Sequence, residues 1–544
     1  MARLLLGPVL RWVDPHRATL WVQTDRPCRV AVDAGPAGGA AETFTAFGHH
    51  YALVVVDGLT PGSSTPYQVV LDEQPVWPEP GSRFPASVIR TPVPDGPARL
   101  VFGSCREASP YTTDRSYPPD ALDTYAAELA AGDAPAPDYL LLLGDQVYAD
   151  EITPRTRRYL RRRRRDTGGP VTEVADFTEY TQLYLESWTD PELRWLLSTV
   201  PSMMIFDDHE IIDDWNTSAA WRRQIRRLPW WRDRIAGGLA SYWIYQHLGN
   251  LSPDALATDP TFHAVRAAPD AAGVLTEFAL AADAEGDGSP GPRWSFRIDL
   301  GGTRVIVLDT RCSRVLEESA RDMLPESEWA WFTEQLTGDY RHLVVGSSLP
   351  WLLPPAIHEV EGVNEKLCRS RVPGLARLSE KLRQAADLEH WAAFRGSFDR
   401  LGGLLTDVAA GRFTPRPPGS VSVLSGDVHH SYAARLNDAP VHQLTCSPIH
   451  NDVPHAMRWG FRFGWSRTAA LIGIALARLS GRGGSPYRWR RLAGPYFENA
   501  VGMLVHDGPH ARLALRGTRW LPGGGTALTT LDEVPLSQDS DRSS

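Results

Sequence analysis

The chain has 544 residues, of which 42% are hydrophobic and 22% are charged. These values are typical of a globular protein with two domains, or with one large and one small domain. The formal net charge of −9 argues against a general nucleic-acid binder, so we expect no nucleic-acid partner.

Residues 1–95 alternate short β-rich runs with turn signals. The clearest runs are Arg17–Gln23, Cys28–Val32, Tyr51–Val56 and Tyr67–Leu71. Turn-forming pairs such as Asp57-Gly58 separate them. Strands at this spacing predict a small N-terminal β-sandwich domain. The proline-rich segment 91–97 predicts a stiff linker that ends this domain.

From residue 98 the pattern changes, because short apolar strands now alternate with helical segments. This alternation predicts an α/β fold with a layered sheet, which we assign to residues 98–520. The run Tyr139–Gly144 is continuously apolar or small, as expected for a strand buried on both faces. Residues 521–544 are rich in Gly, Thr, Ser and Asp and predict a flexible tail. Arg161–Arg165 form either a solvated helical face, which we favour, or an anion-binding patch.

The cysteines and the apolar segments indicate the compartment. Five widely spaced cysteines contain no CxxC pair: Cys28, Cys105, Cys312, Cys368 and Cys446. They form a poor disulfide framework and favour a reducing compartment. The N-terminal apolar run is broken by Pro8, which predicts a first strand and not a signal peptide. Because the apolar stretch 468–479 is too short to span a bilayer, we expect a cytoplasmic protein with no membrane span, of open oligomeric state.

Polar residues with ligand chemistry follow five of the predicted strands. These segments are Gly103–Arg106 (GSCR), Gly144–Tyr148 (GDQVY), Asp207–Glu210 (DDHE), Asp309–Arg311 (DTR) and Gly426–His430 (GDVHH). The carboxyl ends of strands in an α/β sheet meet at one edge, so these groups should converge. Such a cluster is most simply a metal site, in which carboxylate and phenolate oxygens suit Fe³⁺, Mn²⁺ or Ca²⁺. A carboxylate shared by two cations is a usual device for activating water against phosphorus.

Each motif also has a purely structural explanation. Cys105 could be a buried core thiol, and His209 could cap a turn, although four consecutive polar residues after a strand favour catalysis. Asp427 and His429 would point the same way on an extended backbone, which suits chelation. Asp309–Arg311 could either order a loop through an ion pair or contribute to the site. Three further residues stay open between ligand, supporting and helix-terminal roles: Asp213, Asp214 and Asn216.

The motifs GSCR, GDxxY, DDHE and SGDVH, in this order, resemble the PhoD-like alkaline phosphatase D family of metallophosphoesterases. The resemblance covers roughly residues 98–515, and the β-rich N-terminal region also looks like the domain that precedes the catalytic domain in that family. It implies an αββα-sandwich metallophosphoesterase domain with a two-metal centre. It also implies that phosphomonoesters or phosphodiesters are hydrolysed by a metal-activated hydroxide at this multinuclear site.

The resemblance implies a set of metal ligands, residue by residue. They are Cys105, Asp145, Tyr148, Asp208, Asp427 and His429. Asp145 would bridge two cations, while Tyr148 and Cys105 would bind Fe³⁺. The second metal would be Ca²⁺, or Mn²⁺ or another divalent cation in its place.

The resemblance also implies which residues would meet a phosphate ester substrate. His209 stands where the superfamily has a histidine that contacts phosphate, and it would stabilise the transition state or protonate the leaving oxygen. Arg106 would hold phosphate oxygens with both nitrogens of its guanidinium. His430 completes the expected substrate-binding set.

Two other classes of function compete with the enzyme. One is a non-catalytic protein that keeps the metal site in order to bind or sense a phosphate ligand. The other is an interaction protein built on the N-terminal sandwich and the tryptophan-rich segment that follows residue 215. Intact ligands in the four main motifs favour the enzyme. The segments 211–290 and 350–400 should set the specificity, and the sequence does not reveal the natural substrate.

Overall fold

The computed structural model describes residues 1–108, 117–164, 170, 172–481 and 484–537. The β-strands are β1 (Leu4–Val13), β2 (Ala18–Thr24), β3 (Arg29–Ala34), β4 (Ala37–Glu42), β5 (Phe44–Ala46), β6 (His49–Val56), β7 (Ser64–Pro66), β8 (Gln68–Leu71), β9 (Gln74–Trp77), β10 (Val88–Arg90), β11 (Ala98–Gly103), β12 (Tyr139–Leu143), β13 (Ser202–Ile205), β14 (Phe296–Leu300), β15 (Thr303–Val307), β16 (His342–Gly346), β17 (Ser420–Ser425), β18 (Ser431–Leu436), β19 (Val441–Thr445), β20 (Trp489–Tyr496), β21 (Ala500–Asp507), β22 (His510–Trp520) and β23 (Thr526–Pro535).

The α-helices are α1 (Ala121–Ala131), α2 (Pro154–Arg163), α3 (Phe177–Trp188), α4 (Pro191–Thr199), α5 (Ala219–Ile225), α6 (Trp231–Tyr245), α7 (Pro253–Leu256), α8 (Pro260–Ala267), α9 (Ala272–Glu285), α10 (Glu326–Gln335), α11 (Pro355–Cys368), α12 (Pro373–Ala385), α13 (Arg395–Ala409), α14 (His455–Gly464) and α15 (Arg467–Leu479). Short 3₁₀ helices lie at His247–Asn250 and Trp391–Ala393. In the described part of the chain, no helix combines the length and apolarity needed to cross a membrane.

The first ten strands form the β-rich region that the sequence predicts. Two four-stranded sheets, in the orders β1-β2-β6-β5 and β4-β3-β8-β9, enclose a core that includes Leu20, Val30 and Val54. Trp21, which follows Leu20 in β2, packs instead into the core of the next region. Adjacent residues of a strand point to opposite faces, so β2 contributes to both cores. We propose the boundary between the two regions at segment 91–97, where no strand is formed.

Two larger sheets pack face to face after residue 98. Their strand orders are β13-β12-β11-β21-β22-β23 and β14-β15-β16-β17-β19-β18-β20. Val344 of β16 packs in the same core as the residues of β12 in the other sheet. Its neighbours Leu343 and Val345 point the other way and pack in the core that contains side chains of α10 and α13. Each sheet thus meets the other sheet on one face and helices on the other. This αββα sandwich confirms the predicted α/β fold class.

The direction of the strands decides where the polar motifs lie. β11, β12 and β13 run parallel to one another, as do β15, β16, β17 and β19. All five residues of β12 are buried, as expected for the run that begins at Tyr139. The carboxyl ends of the parallel strands in each sheet therefore lie at one edge.

The flexible tail predicted for residues 521–544 is wrong for its first part. Thr526–Pro535 forms β23, which pairs antiparallel with β22. Leu528 and Val534 are buried, but they are far apart in a segment that is otherwise rich in Gly, Thr and Asp. Residues 538–544 lie outside the described residues.

The arginine run is divided between two environments. Arg161 and Arg162 are exposed on the last turn of α2, as expected for a solvated face. Arg163 and Arg164 instead form ion pairs with Glu179 of α3. Arg165, the last residue of the run, lies outside the described residues.

Candidate metal centre

Three of the predicted strand-end motifs border one cavity. Gly144–Tyr148 follows β12, Asp207–Glu210 follows β13, and Gly426–His430 follows β17. The cavity has a volume of about 600 Å³. Its acidic and histidine side chains are Asp145, Asp208, His209, Asp213, Glu361, Asp387, Glu389, His390, Asp427 and His429. The convergence that the strand ends predict is therefore present.

Four carboxylates come together at this cavity. One oxygen from each of Asp145, Asp207, Asp208 and Asp427 lies within 4.8 Å of the others. Asp207 was not among the predicted ligands. Burial, together with the neighbouring charges, raises the pKa of Asp145 and of Asp207 well above the ordinary range. The charged forms of these carboxylates are therefore unfavourable when no cation is bound. A second set of donors within the same distance consists of Asp208, His209 and Asp213.

The positive charge beside the four carboxylates comes from a buried arginine. Arg311 forms ion pairs with Asp207 and with Asp208, the latter at 3.2 Å. Oδ1 of Asp145 and Oδ2 of Asp207 are buried and have no hydrogen-bond partner among the described residues. A buried oxygen without a partner is unfavourable, and a coordinated cation would satisfy it. The donors present therefore fit bound cations that prefer hard oxygen ligands.

Four of the predicted ligands have unusual backbone conformations. The φ angles are 56° at Cys105, 50° at Asp145, 66° at Asp427 and 47° at His429. A residue other than glycine in this left-handed region costs about 1–3 kcal/mol, and such strain concentrates at functional sites. The expectation that an extended backbone aligns Asp427 with His429 is wrong, because both are left-handed. The two side chains nevertheless line the same cavity.

Glu210, the last residue of the DDHE motif, fixes the loops that follow β12 and β13 to each other. Its Oε2 accepts hydrogen bonds from the backbone N–H groups of Asp145 at 3.0 Å and Asp207 at 2.9 Å. Its Oε1 accepts one from the N–H of Gln146 at 2.7 Å. The buried carboxylate thus connects the carboxyl ends of β12 and β13.

His209 lines the cavity and is oriented by Asp150. The Nδ1 of His209 lies 2.9 Å from Oδ1 of Asp150, and its ring packs on that of Tyr148 with 4.6 Å between centroids. Burial by itself would lower the pKa of His209, but the adjacent charges of Asp150 and Asp208 outweigh it and raise the pKa well above the ordinary value. Both carboxylates thus favour the protonated form of the ring, which a proton donor requires.

Cys105 and Tyr148 are both buried, and neither lines the cavity. The Sγ of Cys105 is 3.2 Å from Oδ2 of Asp145, and burial raises the pKa of the thiol to about 12. Tyr148 is also buried. His429 lines the cavity, where burial lowers its pKa to about 4 and so keeps the ring neutral, the form that coordinates metals.

Arg106 lies in a buried ion-pair cluster and not on the cavity wall. Its guanidinium is buried and forms ion pairs with Asp120 at 2.8 Å and with Asp123 at 3.4 Å, at the start of α1. These two carboxylates hold the side chain away from the cavity. His430 is also absent from the cavity wall, since its Nδ1 lies 2.7 Å from the carbonyl oxygen of Val428 and its ring stacks on Phe461. Neither residue therefore lines the cavity, and their contact with substrate stays a prediction.

Further site residues come from the segment between α12 and α13. The Nε2 of His390 lies 3.0 Å from Oδ2 of Asp427, and its Nδ1 lies 2.7 Å from Oε1 of Glu361. Glu389 forms an ion pair with Arg311. The strand-end motifs do not include these residues, because they follow a helix. The run DLEH before the 3₁₀ helix at Trp391–Ala393 is the only signal that could have indicated them.

Asp309–Arg311 contributes to the site, and it orders its loop through a hydrogen bond in place of the expected ion pair. The carboxylate of Asp309 accepts a hydrogen bond from the N–H of Arg311 at 2.9 Å and so orders the loop, while the Arg311 side chain joins the carboxylates. Asn216 is buried outside the cavity wall, and Asp213 lines the cavity. Asp214 donates its backbone N–H to the carboxylate of Asp208 at 3.0 Å.

The sequence comparisons match two separate parts of the chain. The model of the PhoD-like phosphatase family matches residues 112–258, a range that contains Asp145, Tyr148 and Asp208 but not Cys105. Residues 1–89 match a domain of unknown function (DUF7800). A search of curated proteins finds no significant match.

The structural comparison extends the likeness to nearly the whole chain. The solved structure of PhoD matches 98% of this chain and 90% of its own, with a TM-score of 0.58 and 12% identity. The type III pullulan hydrolase from Thermococcus kodakarensis covers 99% of this chain and 100% of its own at 11% identity, but its TM-score of 0.18 carries no argument. The family model and the shared fold together confirm the resemblance of this chain to the PhoD-like phosphatases.

Proposed function

We propose that the protein is a metal-dependent phosphoesterase that hydrolyses phosphomonoesters, phosphodiesters or both. The observation that carries the proposal is the buried group of Asp145, Asp207, Asp208 and Asp427, at the strand ends of a fold shared with PhoD. The cavity is so acidic that an anionic ester would be repelled from it unless cations were bound.

We propose Fe³⁺ together with Ca²⁺, or with Mn²⁺ or another divalent cation, as the resident metals. The thiol of Cys105, which lies beside Asp145, and the buried phenol of Tyr148 would hold the ferric ion. The oxygens of Asp208 and Asp427 would hold the divalent ion. The ligand His429 lies on the wall of the same cavity. When bound, the cations would activate water for attack on phosphorus and offset charge on the phosphoryl oxygens.

We propose that His209 donates the proton that the leaving oxygen needs. It lines the cavity, and Asp150 both orients its ring and favours the protonated form. The contact between His390 and Asp427 would fix the direction of that carboxylate. Each ring has an acidic partner at its Nδ1, Asp150 for His209 and Glu361 for His390, and is thus oriented before substrate binds.

The opposite wall of the cavity is apolar and would contact the organic part of the ester. Ile357 and Val360 of α11 and Phe461 of α14 contribute to it. A cavity of about 600 Å³ is of the size that holds small organic ligands. We therefore propose that α11 and α14 select the alcohol part of the substrate.

We also propose that the protein works in a reducing compartment such as the cytoplasm. All five cysteines are free thiols, and Cys28, Cys105, Cys312 and Cys446 are buried. Cys105 would have to remain reduced to serve as a ligand.

The proposed function is tested by assaying p-nitrophenyl phosphate and bis-p-nitrophenyl phosphate after reconstitution with iron and with calcium or manganese. We expect metal-dependent hydrolysis of at least one ester. A folded protein that binds phosphate but hydrolyses neither ester with any of these metals would favour the sensing alternative and contradict the enzyme.

A further inference from the structure

The helices α14 and α15 expose an apolar face beside the mouth of the cavity. Trp459 and Phe463 of α14 are 71% and 56% exposed, and Leu471 and Leu479 of α15 are 68% and 85% exposed. The other exposed apolar side chains of these helices are Met457, Ile472, Ile474 and Leu476. So many large apolar side chains on adjacent helices are unusual for a surface that faces only water.

The packing of α15 is inverted relative to that of an ordinary surface helix. Its buried positions are the small residues Ala469, Gly473 and Ala477, which lie one turn apart. A Cβ atom added at Gly473 would lie only 3.0 Å from the Cβ of Glu359 in α11, so α15 packs closely on α11. A surface helix normally buries its large apolar residues and exposes polar ones. The large side chains of α15 are therefore arranged for an external apolar environment.

The helix α12, on another side of α11, shows the same inversion. Leu375, Leu378 and Leu382 are exposed, at the spacing of one helical face. The polar residues Ser379 and Arg383 are buried instead. Arg383 forms ion pairs there with neighbouring glutamates. The helical layer formed by α11, α12, α14 and α15 thus exposes apolar side chains on more than one helix.

The segment that contains α14 and α15 is also strongly basic. The sequence from Val453 to Phe497 contains eight arginines and no Asp, Glu or Lys, in a chain whose net charge is −9. Arg467 and Arg478, at the two ends of α15, are exposed. Exposed apolar side chains among arginines are typical of helices that lie in the interface of an anionic bilayer, where guanidinium groups pair with lipid phosphates.

We propose that α14 and α15 form a docking surface for an anionic lipid bilayer, with Trp459, Phe463, Leu471 and Leu479 inserted at the level of the headgroups. A second copy of the chain fits this surface poorly, because a twofold contact would place the arginines of one copy against those of the other. The helices have 10 and 13 residues and would lie on the bilayer, not across it.

Docking in this way would bring the cavity to the bilayer. Met457, Phe461 and Phe463 of α14 and Val360 of α11 are shared between the helical layer and the cavity wall. A phosphate ester carried at the lipid surface would then enter along an apolar wall. This consequence rests on the proposed phosphoesterase function, whereas lipid docking itself does not.

The test is sedimentation of the full chain with phosphatidylcholine vesicles, with and without phosphatidylglycerol. We expect binding to the anionic vesicles that weakens as salt is raised. The double variant Leu471→Ser/Leu479→Ser should bind at least about tenfold more weakly. The control Val93→Ser removes an exposed apolar side chain (60% exposed) that lies outside α14 and α15, and it should bind as the wild type does.

A second pair of variants separates this surface from general basic attraction. Arg467→Glu/Arg478→Glu should abolish binding, whereas Arg161→Glu/Arg162→Glu on α2 should retain most of it. Brominated phospholipids should quench tryptophan fluorescence in the wild type, and Trp459→Phe should lose most of that quenching. Equal loss in both arginine pairs would overturn the proposal.

Two other results would also contradict lipid docking. One is a folded chain that sediments with neither kind of vesicle. The other is a dimer, measured by light scattering without lipid, that Leu471→Ser/Leu479→Ser converts to a monomer. If the vesicles are bound but no phosphate ester is hydrolysed, the proposed enzyme fails while the docking surface stands.

Discussion

The backbone N–H of Asp145 donates a 3.0 Å hydrogen bond to the buried carboxylate of Glu210. This bond holds Asp145 at a φ of 50°, a conformation that few residues adopt without support. The same carboxylate accepts the N–H of Asp207, so one side chain outside the cavity wall positions two of the four clustered carboxylates. The geometry of the candidate metal centre therefore depends on Glu210 as well as on its ligands.

The substitution Glu210→Gln should disturb the two loops that follow β12 and β13. The amide keeps the size of the side chain but offers only one oxygen to three backbone N–H donors, and a buried donor left unpaired costs about 1–3 kcal/mol. We expect a lower free energy of unfolding and at least about a tenfold loss of ester hydrolysis, because misplaced ligands are costly to catalysis. Urea unfolding and steady-state kinetics measure the two effects.

The control for this variant is Glu186→Gln. Glu186 accepts hydrogen bonds from the hydroxyl groups of Thr153 and Thr156, which can adjust to an amide partner. We expect its ester hydrolysis to stay near that of the wild type. Full activity in Glu210→Gln would show that the hydrogen bonds to Asp145 and Asp207 are not needed to place the ligands.

Replacement by lysine should have different effects at Arg311 and at Arg106, although both side chains are buried. Arg311 contacts the carboxylates of Asp207 and Asp208, so Arg311→Lys should lower kcat by about 100-fold through loss of their alignment. In the described part of the chain, Arg106 forms its ion pairs with Asp120 and Asp123, so Arg106→Lys should lower stability by about 1–3 kcal/mol without raising KM. Kinetics on the folded fraction of each variant measure this difference.

An increase in KM for Arg106→Lys, with no change in the melting temperature, would instead support the role in holding phosphate that the family resemblance implies for Arg106. Activity that is unchanged in Arg311→Lys would remove Arg311 from the site.

Acid should weaken the contact between the two large sheets. The rings of His342 in β16 and His506 in β21 stack at 4.1 Å, and burial lowers the pKa of both. The unfolded chain takes up protons at these positions below about pH 6.5, while the folded chain does not. The stabilisation is therefore present above pH 6.5 and is lost as the pH falls towards the lower pKa values of the folded state. Each histidine adds a slope of up to about 1.4 kcal/mol per pH unit.

Urea unfolding at a series of pH values tests this expectation. The variant His506→Phe keeps an aromatic ring against His342 but removes one titrating group, so its stability should fall less steeply below pH 6.5. An identical slope in the variant and the wild type would show that His506 does not contribute to acid sensitivity.

The strands and their polar ends could be predicted because the local pattern is strong. The run Tyr139–Gly144 predicts a buried strand, and the parallel pairing of β12 with β13 brings Asp145 and Asp208 to one edge of their sheet. Asp427 joins them from the end of β17, in the other large sheet. The strand β23 could not be predicted, because only Leu528 and Val534 are buried in it and its other residues are typical of a flexible tail.

The residues that orient and balance the site could not be found in this way. Glu389 contacts Arg311 and His390 contacts Asp427. Both lie in a loop that follows a helix, so the pattern of strand ends does not indicate them. Arg106 shows the converse, since its place after β11 indicates the site but the acidic start of α1 holds its side chain elsewhere. The path of a side chain after a left-handed residue such as Cys105 is set by tertiary contacts and not by the local pattern.

The central claim is that the clustered carboxylates hold cations and that Asp145 is shared between them. Its most direct test is elemental analysis of the purified, reconstituted chain beside its Asp145→Asn variant, with circular dichroism to confirm that both are folded. We predict more than one metal ion bound per wild-type chain, including iron, and loss of metal and of ester hydrolysis in the variant. A wild-type chain that is active without bound metal, or a variant that keeps both its metals and its activity, would contradict the claim.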